Sequence, residues 1–255
     1  MKNLMRIFMA VAALVAFSCT TDVTEDLGVK LEGQTTLTFS LEESRTQLGA
    51  EVNGIYPLAW CEGDAISVNG VESSAIAIAD GGNVATFTFP GALSRPYCVA
   101  YPAANEGKVL FAEQQNYTEG TFDNGAATMY AYITSEGGYA LQHLTGVLKI
   151  GVVGNGEKLT YAQVSTVNRA PIAGEFDLDF ANGEVSATSA SKEIIGYSFG
   201  EGVALSSEPT FLHVAVPAGE YDELYVTLYD NQGGVMYATV KADETKPLTA
   251  GKVRE

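Results

Sequence analysis

Hydrophobic and polar residues alternate with a period of two along most of this chain. In "TTLTFSL" Leu37, Phe39 and Leu41 fall on one side, and Thr36, Thr38 and Ser40 on the other. In "GVLKIGVV" Leu148, Ile150 and Val152 line up, with Lys149 pointing the other way. In "ELYVTLYD" Leu224, Val226 and Leu228 alternate with Tyr225, Thr227 and Tyr229. Period two with polar partners predicts strands that bury one face, the pattern of a β-sandwich. Turn pairs punctuate these runs: Asn53-Gly54, Asn69-Gly70, Gly81-Gly82, Asn124-Gly125, Gly137-Gly138, Asn182-Gly183 and Gly233-Gly234. Such pairs supply the positive φ angles that tight hairpins need. No segment carries the periodicity of a long amphipathic helix, and the fold class is all-β.

The N-terminal segment departs from this pattern. Lys2 and Arg6 precede the apolar run "IFMAVAALVAF", Ile7–Phe17, which is too short to span a bilayer as a helix. A basic start, a short apolar core and then small residues make a secretory signal. In "AFSCTT" the run ends at a cysteine, which predicts a bacterial lipoprotein cleaved after residue 18 and acylated on Cys19. Ala16 stands where such signals prefer Leu, Val or Ile, so cleavage as an ordinary secreted protein is the competing reading. The acidic stretch "TTDVTEDLG" then reads as a tether over 19–31. Its Asp22, Glu25 and Asp26 also resemble the signal that sends some lipoproteins to the outer face of the outer membrane.

Residues 1–18 hold two basic side chains and no acidic one. The rest of the chain therefore sets 12 Lys and Arg against 31 Asp and Glu, a formal charge of −19. That balance argues against nucleic acid and against attraction to anionic headgroups. It suits a body held at a membrane by lipid alone. The 237 residues from Cys19 onward allow two domains of ordinary size. The turn-rich "GNGEK" at 154–158 divides a first sandwich, 32–153, from a second, 159–255.

Candidate chemistry is sparse. His143 and His213 both sit in strand-like text, where packing is the expected role. With Cys19 assigned to lipid, Cys61 and Cys98 remain, either as one internal bridge or as two small buried thiols. "WCEGD", Trp60–Asp64, sets a thiol among carboxylates that oppose thiolate formation. It reads as a strand, "PLAWC", and a turn, with Cys61 on the strand rather than acting as a nucleophile. "DLDFANGEV" resembles a calcium loop, but its glycine falls out of register and a hairpin at Asn182-Gly183 fits better. No motif for metal, cofactor or phosphate is present, and the reading is of a non-enzyme without a cofactor.

One stretch, "SRTQLGAEVNGIYPLAWCEGDAISVNG", is similar to the opening signature of the Bacteroidetes fimbrillin-like proteins, the type V pilins and their relatives. "RPYCVAYP", "LQHLTGVLKI", "FLHVAVPAGEYDELYVTLYDNQGG" and "LTAGKV" extend the resemblance in order along the chain. It implies two tandem transthyretin-like β-sandwiches, export as a lipoprotein, and a cell-surface location as part of a fimbria. It further implies that an arginine-specific protease removes an N-terminal strand, and that another pilus subunit supplies a replacement by strand exchange. Arg45, in "LEESRTQLGA", is then the cleavage position and Thr46 the new start. The discarded strand carries Leu37, Phe39 and Leu41; the competing reading of Arg45 is an ordinary loop arginine. The chain stops four residues beyond Gly251, where polymerising members carry a donor extension. This points to an accessory or tip subunit, unless "PLTAGKVRE" itself moves or the sequence is truncated. A non-polymerising surface lipoprotein that binds a glycan or host protein through loops at the sandwich ends is the alternative. Tyr225 and Tyr229 would then serve as sugar platforms, or else pack on the sheet face.

Overall fold

The alternation builds strands almost everywhere. The computed structural model describes residues 33–41, 58–137, 139–241 and 247–254, and within these the regular structure is strand apart from two short 3-10 turns. The readings at Cys19, Arg45 and Thr46, with the signal and tether, lie outside the described residues. The first twelve strands are β1 (Gln34–Ser40), β2 (Ser67–Val68), β3 (Val71–Glu72), β4 (Ala75–Ala79), β5 (Val84–Pro90), β6 (Tyr97–Tyr101), β7 (Lys108–Phe111), β8 (Gln114–Asn116), β9 (Met129–Ile133), β10 (Tyr139–Ala140), β11 (Gln142–His143) and β12 (Thr145–Val152). There follow β13 (Lys158–Thr166), β14 (Ala173–Asp179), β15 (Glu184–Lys192), β16 (Ile194–Ala204), β17 (Thr210–Pro217), β18 (Glu223–Asp230), β19 (Val235–Lys241) and β20 (Val253–Arg254).

Two sandwich cores result. In the first, the sheet ordered β10-β1-β5-β4 faces the sheet ordered β11-β9-β6-β2-β3. Phe39 and Phe87 from one sheet meet Val99 and Met129 from the other, all fully buried, with Trp60 and Ile66 among them. In the second, β19-β18-β13-β16-β8 faces β17-β12-β20, and Val164, Tyr197 and Val226 pack on Leu212, Val214 and Leu148. The sheet β15-β14-β7 forms a third layer, whose Phe111 and Phe176 close over Ala100 and Tyr130 on the outer side of the first sandwich.

The halves of the chain are interleaved. β7 pairs antiparallel with β14, and β8 pairs parallel with β16, so strands from the first half complete sheets of the second. The turn 154–158 connects β12 to β13, and β12 finds both partners, β17 and β20, in the second half. β12 is buried on both faces: Val147 joins the first core, while Leu148 and Val152 join the second. That explains a continuous apolar "GVL" where a one-sided strand would alternate. Gln115 is the polar clamp of this arrangement. Buried itself, it donates through Nε2 to the Ala215 carbonyl (2.7 Å) and accepts from the Ala215 N–H (2.9 Å). β17 lies at the edge of its sheet, so the amide acts as one extra rung along that edge.

The turn chemistry follows the sequence closely in places. Asn69 and Gly70 take φ of 52° and 77° and join β2 to β3 as a two-residue hairpin. Asn182-Gly183 turns β14 into β15, with Asp179 accepting from Gly183 N–H (2.7 Å), so "DLDFANGEV" is the predicted hairpin. Asn124-Gly125 instead begins a 3-10 turn, Asn124–Ala126.

Candidate strand-exchange groove

The strand marked for removal is a working part of the first core. β1 runs antiparallel to β5 over its whole length, from Gln34 opposite Pro90 to Ser40 opposite Val84. Backbone bonds carry the pairing past both ends, Leu41 N–H to Asn83 O (2.8 Å) and Gly91 N–H to Gly33 O (2.7 Å). Among the described residues its other side meets only β10, in parallel, at Phe39–Tyr139 and Ser40–Ala140. Because side chains alternate across a strand, Leu37, Phe39 and Leu41 all enter the core and are buried, Phe39 completely. Thr38 faces outward, its hydroxyl 2.8 Å from that of Thr86.

Phe39 is the centre of an aromatic chain. Its ring lies 6.0 Å from Phe87 and 5.6 Å from Tyr139, Phe87 lies 5.0 Å from Trp60, and Trp60 lies 5.2 Å from Tyr101. Burying three large apolar side chains contributes about 1.5–3 kcal/mol each. Losing β1 would therefore forfeit about 5–9 kcal/mol of burial and leave the β5 edge unpaired over seven residues. Tyr139 is a groove residue that period-two reading does not single out. It is held in place by Arg95, which donates to its hydroxyl (2.9 Å) and lies over the Tyr97 ring (5.2 Å). Parallel pairing between residues a hundred positions apart leaves no signature in either segment.

"WCEGD" closes one end of this core as a turn. The Asp64 carboxylate accepts from the Cys61 N–H (2.7 Å) and from the Tyr101 hydroxyl (2.9 Å), while the Asp64 N–H donates back to the Cys61 carbonyl (3.1 Å). Gly63 supplies a φ of 93°. Burial raises the Asp64 carboxyl pKa, and the bonds from Cys61 and Tyr101 oppose that rise. Burial, then Asp64, likewise raises the Cys61 thiol, which disfavours thiolate. The expectation of Cys61 on a strand is corrected: residues 58–61 form no strand and Cys61 is exposed. Trp60 takes the core position, which turns its neighbour outward. Cys98 lies half-buried in β6, and both cysteines are free thiols, so the buried-pair reading fails for Cys61 and the bridge is not formed.

His143 and His213 lie apart from this turn, on β11 and β17. His213 is buried in the β17 strand. Burial pushes the His143 imidazole down to about 4, so it is neutral at pH 7. The "PLTAGKVRE" segment is docked along its described length, 247–254. Leu248 is buried in the second core and bonds Gly219 in both directions (2.9 and 3.0 Å), and β20 lies parallel to β12.

No family model matches this chain, and no curated protein matches it. Among solved structures, the chain is similar to a "putative cell adhesion protein" from Bacteroides ovatus ATCC 8483, with 12% identity and a TM-score of 0.40. The match covers 76% of this chain and 82% of that one. A likeness at that score carries no argument about this chain, and the weight falls on the strands themselves.

Proposed function

We propose that this chain is a structural and adhesive subunit of a bacterial surface fimbria, of the fimbrillin-like kind, that accepts a strand from a partner subunit. On this reading the precursor is lipidated on Cys19 and reaches the outer membrane. Cleavage after Arg45 then releases β1, and a neighbouring subunit's strand refills the groove. One observation carries the reading: β1 is joined to the body by a seven-residue ladder and three buried side chains, and its sequence neighbour Arg45 follows Leu41 closely. A strand so placed can be exchanged for another of the same pattern, since ladder bonds supply affinity and alternate pockets supply register. The docked 247–254 segment fills its own fold and is not itself held out as a donor. The reading assigns no catalytic role, cofactor or nucleic-acid partner.

Intact-mass and N-terminal analysis of the protein recovered from the cell surface tests this. A start at Thr46 with a partner strand bound supports it. A start at acylated Cys19 in all the surface protein would sink it and leave an anchored, non-polymerising binding module.

A further inference from the structure

The outer face of the second sandwich is the other feature that calls for an explanation. β18 sits between β13 and β19, and the registers place Thr239, Tyr225 and Ser165 in one row across the three strands. The next row is Tyr237, Thr227 and Gln163, and the third is Val235, Tyr229 and Tyr161. Residues opposite each other across a ladder point to the same side. The intervening Leu224, Val226 and Leu228 are buried, so all nine positions face outward.

Three properties of this grid stand out. None of the nine positions is charged, in a chain of net charge −17 whose charged residues make up 18% of the sequence. Charge returns at the end of the face, where Glu223 stands opposite Lys241. Four of the nine are tyrosines, and Tyr237 is 78% and Tyr225 44% exposed, well beyond what packing on a sheet face requires. The other two are oriented. Tyr161 and Tyr229 lie 6.0 Å apart ring to ring, Tyr229 donates to Gln163 Oε1 (3.1 Å), and Tyr161 reaches across β16 to donate to Gln114 Oε1 (3.4 Å) on β8. Gly196 on β16 leaves the space for this: a Cβ there would collide with the Tyr161 hydroxyl and the Gln114 amide.

We propose that this tyrosine and glutamine face, centred on Tyr225, Tyr229 and Tyr237, binds a neutral glycan chain. A sugar ring has one C–H face and a rim of hydroxyls. The negative face of an aromatic ring suits the first, and side-chain amides and hydroxyls, which both donate and accept, suit the second. The absence of charge selects a neutral ligand, since a charged one would gain no counter-ion here, and the acidic surroundings repel an acidic glycan. Tyr225 and Tyr229, four residues apart on one strand, set the platform's length at about 14 Å, room for more than one ring. The binding surface is the sheet face rather than the loops at the sandwich ends. It rests on the surface location in the fimbrial reading but not on strand exchange.

The test is affinity electrophoresis of the recombinant chain through gels containing neutral polysaccharides (galactomannan, xyloglucan, β-glucan, α-mannan), with polygalacturonate as an acidic comparison. The expected result is retardation by at least one neutral polymer and none by polygalacturonate. The double substitution Tyr225→Ala and Tyr237→Ala should weaken it at least tenfold, with Gly196→Ala weakening it through the displaced Tyr161. Because Tyr225 and Tyr237 are exposed, the double variant should keep the unfolding midpoint of the wild type. No retardation by any neutral polymer, retardation unchanged in the double variant, or a wild-type dimer dispersed by the double variant would each overturn the proposal. The last would assign the face to a second copy of the chain. None of these outcomes bears on cleavage at Arg45, so this reading and the strand-exchange reading fail separately.

Discussion

Phe39→Ala isolates the contribution of β1 to the body of the protein. The ring is fully buried between Phe87 and Tyr139, one residue from the end of a strand paired along its whole length. Truncating a buried phenylalanine costs about 3–5 kcal/mol, transfer and cavity together. Total stabilities lie at about 5–15 kcal/mol, so the loss is a large share of the whole. With a urea m-value of about 3 kcal/mol/M, the midpoint should fall by about 1 M or more. The chain provides its own probe: Trp60 is its one tryptophan, is buried, and is linked to Phe39 through Phe87. Urea unfolding followed by Trp60 fluorescence therefore reports on this core directly. Thr38→Ala, one position along and facing solvent, is the control, with an expected change of about 0.5 kcal/mol or less. If both variants unfold at the same midpoint, β1 is not an integral core strand, and the groove behind the strand-exchange reading does not exist.

Two further outcomes follow from polar groups in the interior. Gln115→Ala leaves the Ala215 N–H and carbonyl unpaired at a buried edge and should destabilise by about 2–5 kcal/mol in denaturant titration, whereas Gln114→Ala, at the surface, should cost far less. For His143, the folded pKa of about 4 lies below the unfolded value of 6.5, so between these pH values the unfolded chain holds more protons. Stability is lost as pH falls from 6.5 towards 4, by at most about 3 kcal/mol, less the share screened by solvent at a partly exposed ring. Replacing His143 by Gln should flatten that part of the stability–pH curve, and an unchanged slope would show that another group is responsible.

The sequence by itself settled the class of structure. Period-two alternation placed β1, β12 and β18 and chose the inward residues of β1 and β18, because the alternation of side chains across a strand is local geometry, whereas β12, buried on both faces, also turns Val147 into the first core. Asn69-Gly70 and Asn182-Gly183 marked hairpins for the same reason, since positive φ is a property of one or two residues. Cys61 was misplaced because a turn begins one residue earlier than the apolar run suggests, and only the Asp64 and Tyr101 contacts fix that point. Everything that depends on which strand lies beside which was decided by tertiary structure. β7 and β8 cross into sheets of the second half, Tyr139 pairs with Phe39, and Gln115 clamps Ala215, all through ladder bonds and buried contacts that any strand could offer to any other. The tyrosine grid shows the same division. Alternation in "ELYVTLYD" already turned Tyr225 and Tyr229 outward, but only the registers of β13 and β19 set Tyr161, Gln163 and Tyr237 beside them, because a face is made by neighbours and neighbours are chosen by the packing of the core beneath.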